Sequence, residues 1–141
     1  MGTRSLTIIR DRYDRHVATL YRQYDGYPSG HGVALAEFGK GHTVSNTGAQ
    51  RRTMGDGEGP IRHNGIGCWA AALVCHFKGQ PGNASGAFYL EPEGVDAGEE
   101  YRYTVQSRPD GLDLKIYDVN ARRYVYADPL ATFGPSLVSE G

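Results

Sequence analysis

Four short stretches in the C-terminal half constrain the fold most, because each is bounded by residues that favour turns. They are residues 87–91, 100–107, 112–119 and 123–127. Apolar and polar residues alternate along the two longer ones, which is typical of strands with one buried face. Pro109-Asp110-Gly111 and Asn120-Ala121-Arg122 separate the last three stretches as tight turns. This half therefore predicts an antiparallel sheet.

The N-terminal half adds a hairpin and two helices. Residues 4–10 and 16–24 read as strands, and residues 30–38 and 66–78 show helical spacing, with Ser29 and Asn64 as the expected caps. The order β-β-α-α-β-β-β-β predicts an α+β fold, an antiparallel sheet of about five to six strands with two helices packed on one face. We expect residues 1–130 to form a single domain and residues 131–141 to be a flexible C-terminal tail.

Composition excludes several classes of protein. A chain of 141 residues suits one domain, and its formal net charge of -1 argues against general nucleic-acid binding. No apolar stretch approaches the roughly 20 residues that span a bilayer, so no membrane association is expected. Cys68 and Cys75 fall on one predicted helix about 10 Å apart, too far for a disulfide. A reducing, cytoplasmic location follows as the expectation.

Residues 21–32, which we call the corner, join the second strand to the first helix. The free N–H groups at the start of a helix favour anions, and Gly30 and Gly32 would let a ligand approach closely. The corner and the first strand supply candidate ligand-binding residues: Arg4, Arg22, Gln23, Tyr24, Asp25, Tyr27 and His31. They predict binding of a small anionic ligand such as a nucleotide. The alternative is a rigid structural corner, with Asp25-Gly26 as a turn and Tyr27 packed on the core.

Two further anion sites are open hypotheses. Arg4 and Arg22 lie on the two strands of the predicted hairpin, and on one face they would clamp an anion. His63 and Asn64 at the start of the second helix could form a site with Arg51, Arg52 and Arg62. The alternatives are solvated arginines and an Asn64 cap. Residues 39–63 read as a long loop, which we expect to act as a lid.

Metal and catalytic motifs are weak. No histidine pair has the spacing of a helical zinc site, and no serine elbow is present, so we predict no metal, no cofactor and no catalytic residue. Cys68 opens a helix, where the helix dipole could activate its thiol, but the pattern with Ile66 and Trp69 favours packing. A small hydrolase that uses Asp25 or His31 is the third functional hypothesis.

Several motifs together resemble those of a family of small, uncharacterised proteins from bacteria and their phages. They are Met1-Gly2-Thr3-Arg4-Ser5, the corner, Asn64-Gly65-Ile66-Gly67, Ala70-Ala71, His76-Phe77-Lys78 and Gly86-Ala87-Phe88-Tyr89-Leu90. The resemblance covers roughly residues 1–118 and implies a phage or prophage origin, without an activity to transfer.

The leading hypothesis is therefore a small cytoplasmic phage-type binding protein that recognises a nucleotide-like anion and counters a host process. The alternative is a protein-interaction module that binds a host protein through a tyrosine-rich sheet face: Tyr101, Tyr103, Tyr117, Tyr124 and Tyr126. An exposed edge within residues 112–127 would also permit a homo-oligomer.

Overall fold

The computed structural model describes residues 2–45, 59–80 and 86–138. Eight strands are present in these ranges: β1 Ser5–Arg10, β2 His16–Arg22, β3 His42–Ser45, β4 Ile61–Asn64, β5 Phe88–Glu91, β6 Tyr101–Arg108, β7 Gly111–Asp118 and β8 Arg123–Pro129. The helices are α1 Val33–Gly41, after a π turn Pro28–Gly32, and α2 Gly65–Lys78. Within the described ranges neither helix combines the length and the apolar character needed to cross a bilayer.

The predicted α+β single domain is confirmed, with six strands in the main sheet in the order β5-β2-β1-β6-β7-β8. This sheet is mixed rather than wholly antiparallel, because β1 and β6 run parallel, with Thr7 opposite Tyr103. The cause is the position of β5, which pairs with β2 at one edge. The chain must then cross the sheet through residues 92–100 to reach β6 on the far side of β1. Local turn residues cannot reveal such a crossing.

One face of the sheet carries the core. Ser5, Thr7 and Ile9 alternate along β1 and are fully buried, as a strand with a two-residue period requires. Both helices contribute to the same hydrophobic cluster, with Leu35 from α1 and Trp69 from α2 completely buried. The two helices thus cover one face of the sheet, as predicted.

The segment predicted as a loop over residues 39–63 begins with the end of α1 and then contains β3, and its last residues belong to β4. β3 and β4 pair in parallel as a separate two-stranded sheet, with Val44 opposite His63. Tertiary contacts hold β3: the Phe38 ring stacks on His42 with centroids 4.0 Å apart, and the Trp69 indole N–H donates to the His42 carbonyl at 3.1 Å. These contacts are invisible to local pattern. Residues 46–58 lie outside the described ranges, so the lid stays a prediction.

The C-terminal segment expected to be a flexible tail packs on the domain over residues 131–138. Phe133 is buried, and its ring meets Tyr126 edge-on with centroids 5.0 Å apart. Gly32 lies directly beneath this ring, since a Cβ there would come within 2.9 Å of it. The segment therefore closes over the start of α1, and residues 139–141 lie outside the described ranges.

Candidate functional site

The corner folds as a tightly packed turn. Asp25 adopts a left-handed conformation at φ 60°, and the buried Tyr103 hydroxyl donates to the Gly26 carbonyl at 2.6 Å. The Gly26 N–H in turn donates to Thr3 O at 2.9 Å. The helix begins with a π turn at Pro28 instead of the expected Ser29 cap, and no side chain caps it. Proline suits this first position because its missing N–H would have no partner there.

A buried polar chain crosses the corner from Arg22 to Thr7. The Arg22 guanidinium donates to His31 Nδ1 at 3.0 Å, so His31 carries its proton on Nε2, which donates to Thr7 Oγ1 at 2.6 Å. Burial, and secondarily the Arg22 charge, hold the pKa of His31 well below its ordinary value of 6.5. Burial also lowers the pKa of Arg22, whose guanidinium lies 5.1 Å over the Phe88 ring. Both groups are fixed inside the fold.

This arrangement leaves His31 with no exposed surface and with both ring nitrogens engaged. A ligand or substrate cannot contact it without opening the core. Arg22 is held further by its Nε, which donates to Tyr24 O at 2.5 Å. The polar residues of the corner thus fasten β2 to α1, and ligand binding here stays a prediction.

The other predicted corner residues do not converge on one site. Arg22 is opposite Ser5 and faces the helices, whereas the Arg4 guanidinium lies beside Gly98 on the other side, 3.4 Å from where a Cβ would be. Adjacent residues of a strand point to opposite faces, so Arg4 and Arg22 cannot clamp one anion.

The four remaining candidates from the corner, Gln23, Tyr24, Asp25 and Tyr27, lie at its rim. Gln23 accepts a hydrogen bond from the Tyr21 hydroxyl at 2.5 Å. Tyr24 is 56 % exposed and Tyr27 is 40 % exposed, rather than packed on the core as in the structural alternative. The Tyr27 hydroxyl donates to Asp25 at 3.1 Å, which raises the pKa of Tyr27. The rim offers polar groups to solvent, and Arg22 donates to the Tyr24 carbonyl there while its guanidinium also reaches inward to His31.

A second polar chain, which we call the relay, consists of His42, His63 and Cys68. The His42 and His63 side chains share one face of the small sheet, and His63 Nε2 lies 2.8 Å from His42 Nδ1. On its other side, His63 Nδ1 lies 3.3 Å from Cys68 Sγ. Cys68 is exposed, whereas the sequence favoured packing. The relay therefore runs from a ring stacked on Phe38 to a thiol at the surface.

Either atom of each pair in the relay can be the donor, so the distances alone do not fix the tautomer of His63. In the arrangement with the Cys68 S–H as donor to His63 Nδ1, the His63 proton is on Nε2 and is donated to His42 Nδ1. Burial lowers the pKa of His63, and burial together with the neighbouring His63 and His76 lowers the pKa of His42. Both imidazoles are consequently neutral at pH 7, and His63 presents a basic nitrogen to the thiol.

The thiol lies in the first turn of α2, where the backbone N–H groups have no partner within the helix. Asn64 occupies the N-cap position, but its side chain makes no capping hydrogen bond. A Cβ at Gly65 or Gly67 would meet no atom of the described residues within 4 Å. The described residues therefore leave room for a substrate carbonyl to approach the thiol and the helix N-terminus together.

Sequence reasoning named His63 and Asn64 but gave them another role. The second anion site loses support because Arg62 and His63 alternate along β4 and so point to opposite faces. Arg51 and Arg52 lie outside the described residues. The available signal for the relay was the five-residue spacing of His63 and Cys68 across a helix start. The partner His42 depends on the β3–β4 pairing, which local pattern did not reveal.

The five tyrosines proposed as an interaction face do not form one surface. Tyr103 and Tyr126 are buried in the core, whereas Tyr124 is 59 % exposed and stacks edge-on against Tyr117 with centroids 5.0 Å apart. Tyr101, which is half-buried, packs against the core cluster. Interaction with a host protein stays a prediction.

Among the residues that the structure describes, no set of three or more His, Cys, Asp or Glu side chains is arranged to hold a metal ion. Comparisons of the chain with protein-family models, with curated proteins and with solved structures return no match. The resemblance to small bacterial and phage proteins stays a prediction.

Proposed function

We propose that this protein is an enzyme of acyl transfer or hydrolysis in which Cys68 is the nucleophile and His63 the general base. The observation that carries the proposal is the continuous relay that ends in an exposed thiol at the N-terminus of α2. Nucleophile, base and orienting group within hydrogen-bond reach are the general signature of covalent catalysis. The substrates would be esters, thioesters or amides, whose carbonyl carbon is attacked by sulfur.

The first half-reaction starts with proton transfer from Cys68 to His63 Nδ1. The resulting thiolate attacks the carbonyl carbon, an S–C bond forms, and the carbonyl electron pair moves onto oxygen. Backbone N–H groups of the first turn of α2 stabilise this oxyanion, as preorganised donors do in other acyl-transfer sites. The tetrahedral intermediate collapses by expelling the alcohol, thiol or amine, which takes the proton back from His63.

The second half-reaction releases the acyl group from sulfur. His63 removes a proton from water, and the hydroxide attacks the thioester carbonyl. The S–C bond breaks, Cys68 recovers the proton, and a carboxylic acid leaves. If another alcohol or amine replaces water, the same steps give transfer instead of hydrolysis.

His42 is a positioning residue in this scheme. Its Nδ1 accepts the Nε2–H of His63, which keeps the base in the required tautomer and stabilises the imidazolium formed during proton transfer. Two fixed contacts hold His42 itself, the stacked Phe38 ring and the Trp69 indole on its carbonyl. A preorganised base needs such support.

The earlier hydrolase hypothesis thus moves from the corner to the relay. His31 is enclosed in the core and does not face a substrate, and the exposed Asp25 carboxylate accepts a hydrogen bond from Tyr27. Four earlier hypotheses stay predictions, because the geometry of the relay does not bear on them. They are recognition of a nucleotide-like anion, a phage origin, a host target and a cytoplasmic location.

The test is the rate at which iodoacetamide alkylates each cysteine, followed by peptide mass spectrometry between pH 5.5 and 9. Cys75 is the internal control, because it is exposed on the same helix and no imidazole is hydrogen-bonded to its sulfur among the described contacts. An unactivated thiol is only about a few per cent thiolate at pH 7, so activation raises the rate by about tenfold or more. We expect Cys68 to react faster than Cys75 by that factor.

The variants His63→Ala and His42→Phe separate the two roles. His63→Ala should bring Cys68 down to the rate of Cys75, and His42→Phe should lower it less, because the base remains but loses its orientation. Equal rates for the two cysteines in the wild-type protein, or a Cys68 rate that ignores His63→Ala, would contradict the proposal.

A further inference from the structure

A cleft of about 540 Å³ lies on the sheet face opposite the helices, but its charged groups already pair with one another, as in the 2.7 Å contact of Arg102 with Glu99. A second cleft, of about 430 Å³, is lined in part by His42 of the relay, which makes it the better candidate for a functional site. Its walls are formed by α1 and β3, by the turn between β6 and β7, and by the end of β8 with the turn after it. Its lining residues include His42, Asp110, Leu112, Pro129, Leu130 and Ala131. We call it the β3 cleft.

The β3 cleft runs along one edge of β3. Three consecutive residues of that strand line it, and none of its lining residues belongs to β4. It therefore lies on the side of β3 away from its partner strand. The outer edge of a strand presents backbone N–H and C=O groups to which an extended chain can add as a further strand.

The opposite wall is apolar, with Leu112, Pro129 and Leu130 among its residues. Apolar walls with a few polar groups are typical of specificity pockets, and about 430 Å³ falls within the usual range of ligand sites. An edge for main-chain pairing next to an apolar wall suits a peptide better than a small polar metabolite. The charged exception in the lining is Asp110 at the turn.

His42 lines the β3 cleft and is also a member of the relay, whereas His63 and Cys68 do not line the cleft, so the two features meet at His42. We propose that the cleft binds an extended peptide segment of the substrate and accepts an apolar side chain, which makes it the specificity site of the reaction at Cys68. This inference rests on the proposed function and adds the substrate class, a peptide or peptide-like acyl chain.

The geometry also sets a register for that side chain. Two hydrogen bonds and one imidazole ring separate Cys68 Sγ from His42, and about two to three residues of extended chain cover such a path at about 3.3 Å per residue. The preferred apolar residue therefore lies about two or three positions from the reacting carbonyl rather than next to it.

The test uses tetraglycine probes with a thiol-reactive group at one end, an N-terminal bromoacetyl group in one series and a C-terminal chloromethyl ketone in the other. One leucine is moved from the first to the fourth position counted from the reactive group. We expect the fastest alkylation of Cys68 with leucine at the second or third position in one series. Burying a leucine side chain should raise the rate by about tenfold over the all-glycine probe.

Ala131→Trp should abolish this preference, because a large ring at an exposed lining position fills the β3 cleft. Ala121→Trp is the matched control, since Ala121 is also exposed but lies at the turn between β7 and β8. It should leave the preference unchanged. Both variants should keep the wild-type rate with plain iodoacetamide, which shows that the relay and the fold are intact.

The outcomes separate this inference from the proposed function. Suppose that plain iodoacetamide selects Cys68 over Cys75 but the position of leucine has no effect, or its effect survives in Ala131→Trp. The assignment of the β3 cleft as a peptide site is then wrong, while the assignment of Cys68 as the nucleophile is unaffected. If iodoacetamide does not distinguish the two cysteines, the proposed function fails first.

Discussion

Replacing His31 by glutamine removes a buried imidazole that cannot be protonated without breaking its contact with Arg22. His31 Nδ1 accepts from the Arg22 guanidinium at 3.0 Å, so a proton there would place two cations in contact inside the core. Burial and the Arg22 charge accordingly hold the pKa of His31 well below 6.5. In the unfolded chain the same imidazole takes up a proton near pH 6.5.

The sign of the effect follows from the protons bound in each state. Below pH 6.5 the unfolded chain binds one proton at His31 that the folded protein does not, so acid favours unfolding. The stability that depends on a neutral His31 is fully present above pH 6.5. Below that pH the free energy of unfolding falls by about 1.4 kcal/mol per pH unit until the pH reaches the lowered pKa of His31. Glutamine has no such proton to gain, so the variant should lose stability with a slope smaller by that amount.

Urea unfolding followed by circular dichroism between pH 5 and 8 measures both slopes. The pKa values of His42 and His63 are lowered too, but both residues remain in the variant, so the difference between the two slopes isolates His31. The comparison uses slopes rather than absolute stability, which glutamine changes for other reasons as well. Identical slopes in the two proteins would refute the buried Arg22–His31 contact.

Three substitutions, two of them with a control variant, test the packing around the corner. Gly32→Ala should destabilise by about 1–3 kcal/mol in thermal or urea unfolding, because its Cβ would press on the Phe133 ring at 2.9 Å, whereas Gly41→Ala, with no atom of the described residues within 4 Å, should be neutral or stabilising; equal effects would contradict the close contact. Phe133→Ala should lower the free energy of unfolding by about 3–5 kcal/mol in the same assay, because the buried ring is removed. A decrease below about 1 kcal/mol would mean that Phe133 does not pack on the domain and that residues 131–138 behave as a flexible tail. Thr7→Val should cost about 1–3 kcal/mol because the His31 N–H loses its acceptor. Ser5→Ala should cost little because the buried Ser5 hydroxyl has no hydrogen-bond partner among the described residues; the reverse order would count against the Arg22–His31–Thr7 chain.

Much of the fold can be predicted from local pattern. The alternation in residues 100–107 and 112–119 places β6 and β7 within one residue of their observed bounds, and the turn at Pro109-Asp110-Gly111 connects them. The parallel β1–β6 pair could not be predicted, because it depends on where the chain re-enters the sheet after residues 92–100. Hairpin rules describe neighbours in sequence and do not set the position of the next strand.

The candidate site depends even more on long-range pairing. Gly, Ser, Asp and His residues mark the corner clearly, but whether His31 faces solvent or the core is decided by Tyr103 and Phe77, which pack around its ring from β6 and α2. The relay forms only because β3 pairs with β4. Both strands lie in a polar part of the sequence without an apolar alternation, so their pairing could not be predicted from local pattern. Sequence alone therefore located unusual residues without showing which of them act together.

Trapping the acyl-enzyme is the most direct test of the central claim that Cys68 is an acyl-transfer nucleophile. The intact protein is mixed with an activated ester such as p-nitrophenyl acetate, quenched in acid after different times, and analysed by mass spectrometry with peptide mapping. We expect one acetyl group on Cys68 that forms rapidly and is then lost by hydrolysis, with none on Cys75. Formation should be slowed by about 10²-fold or more in His63→Ala. Acetylation that is equal on the two cysteines, or unchanged in His63→Ala, would contradict the account.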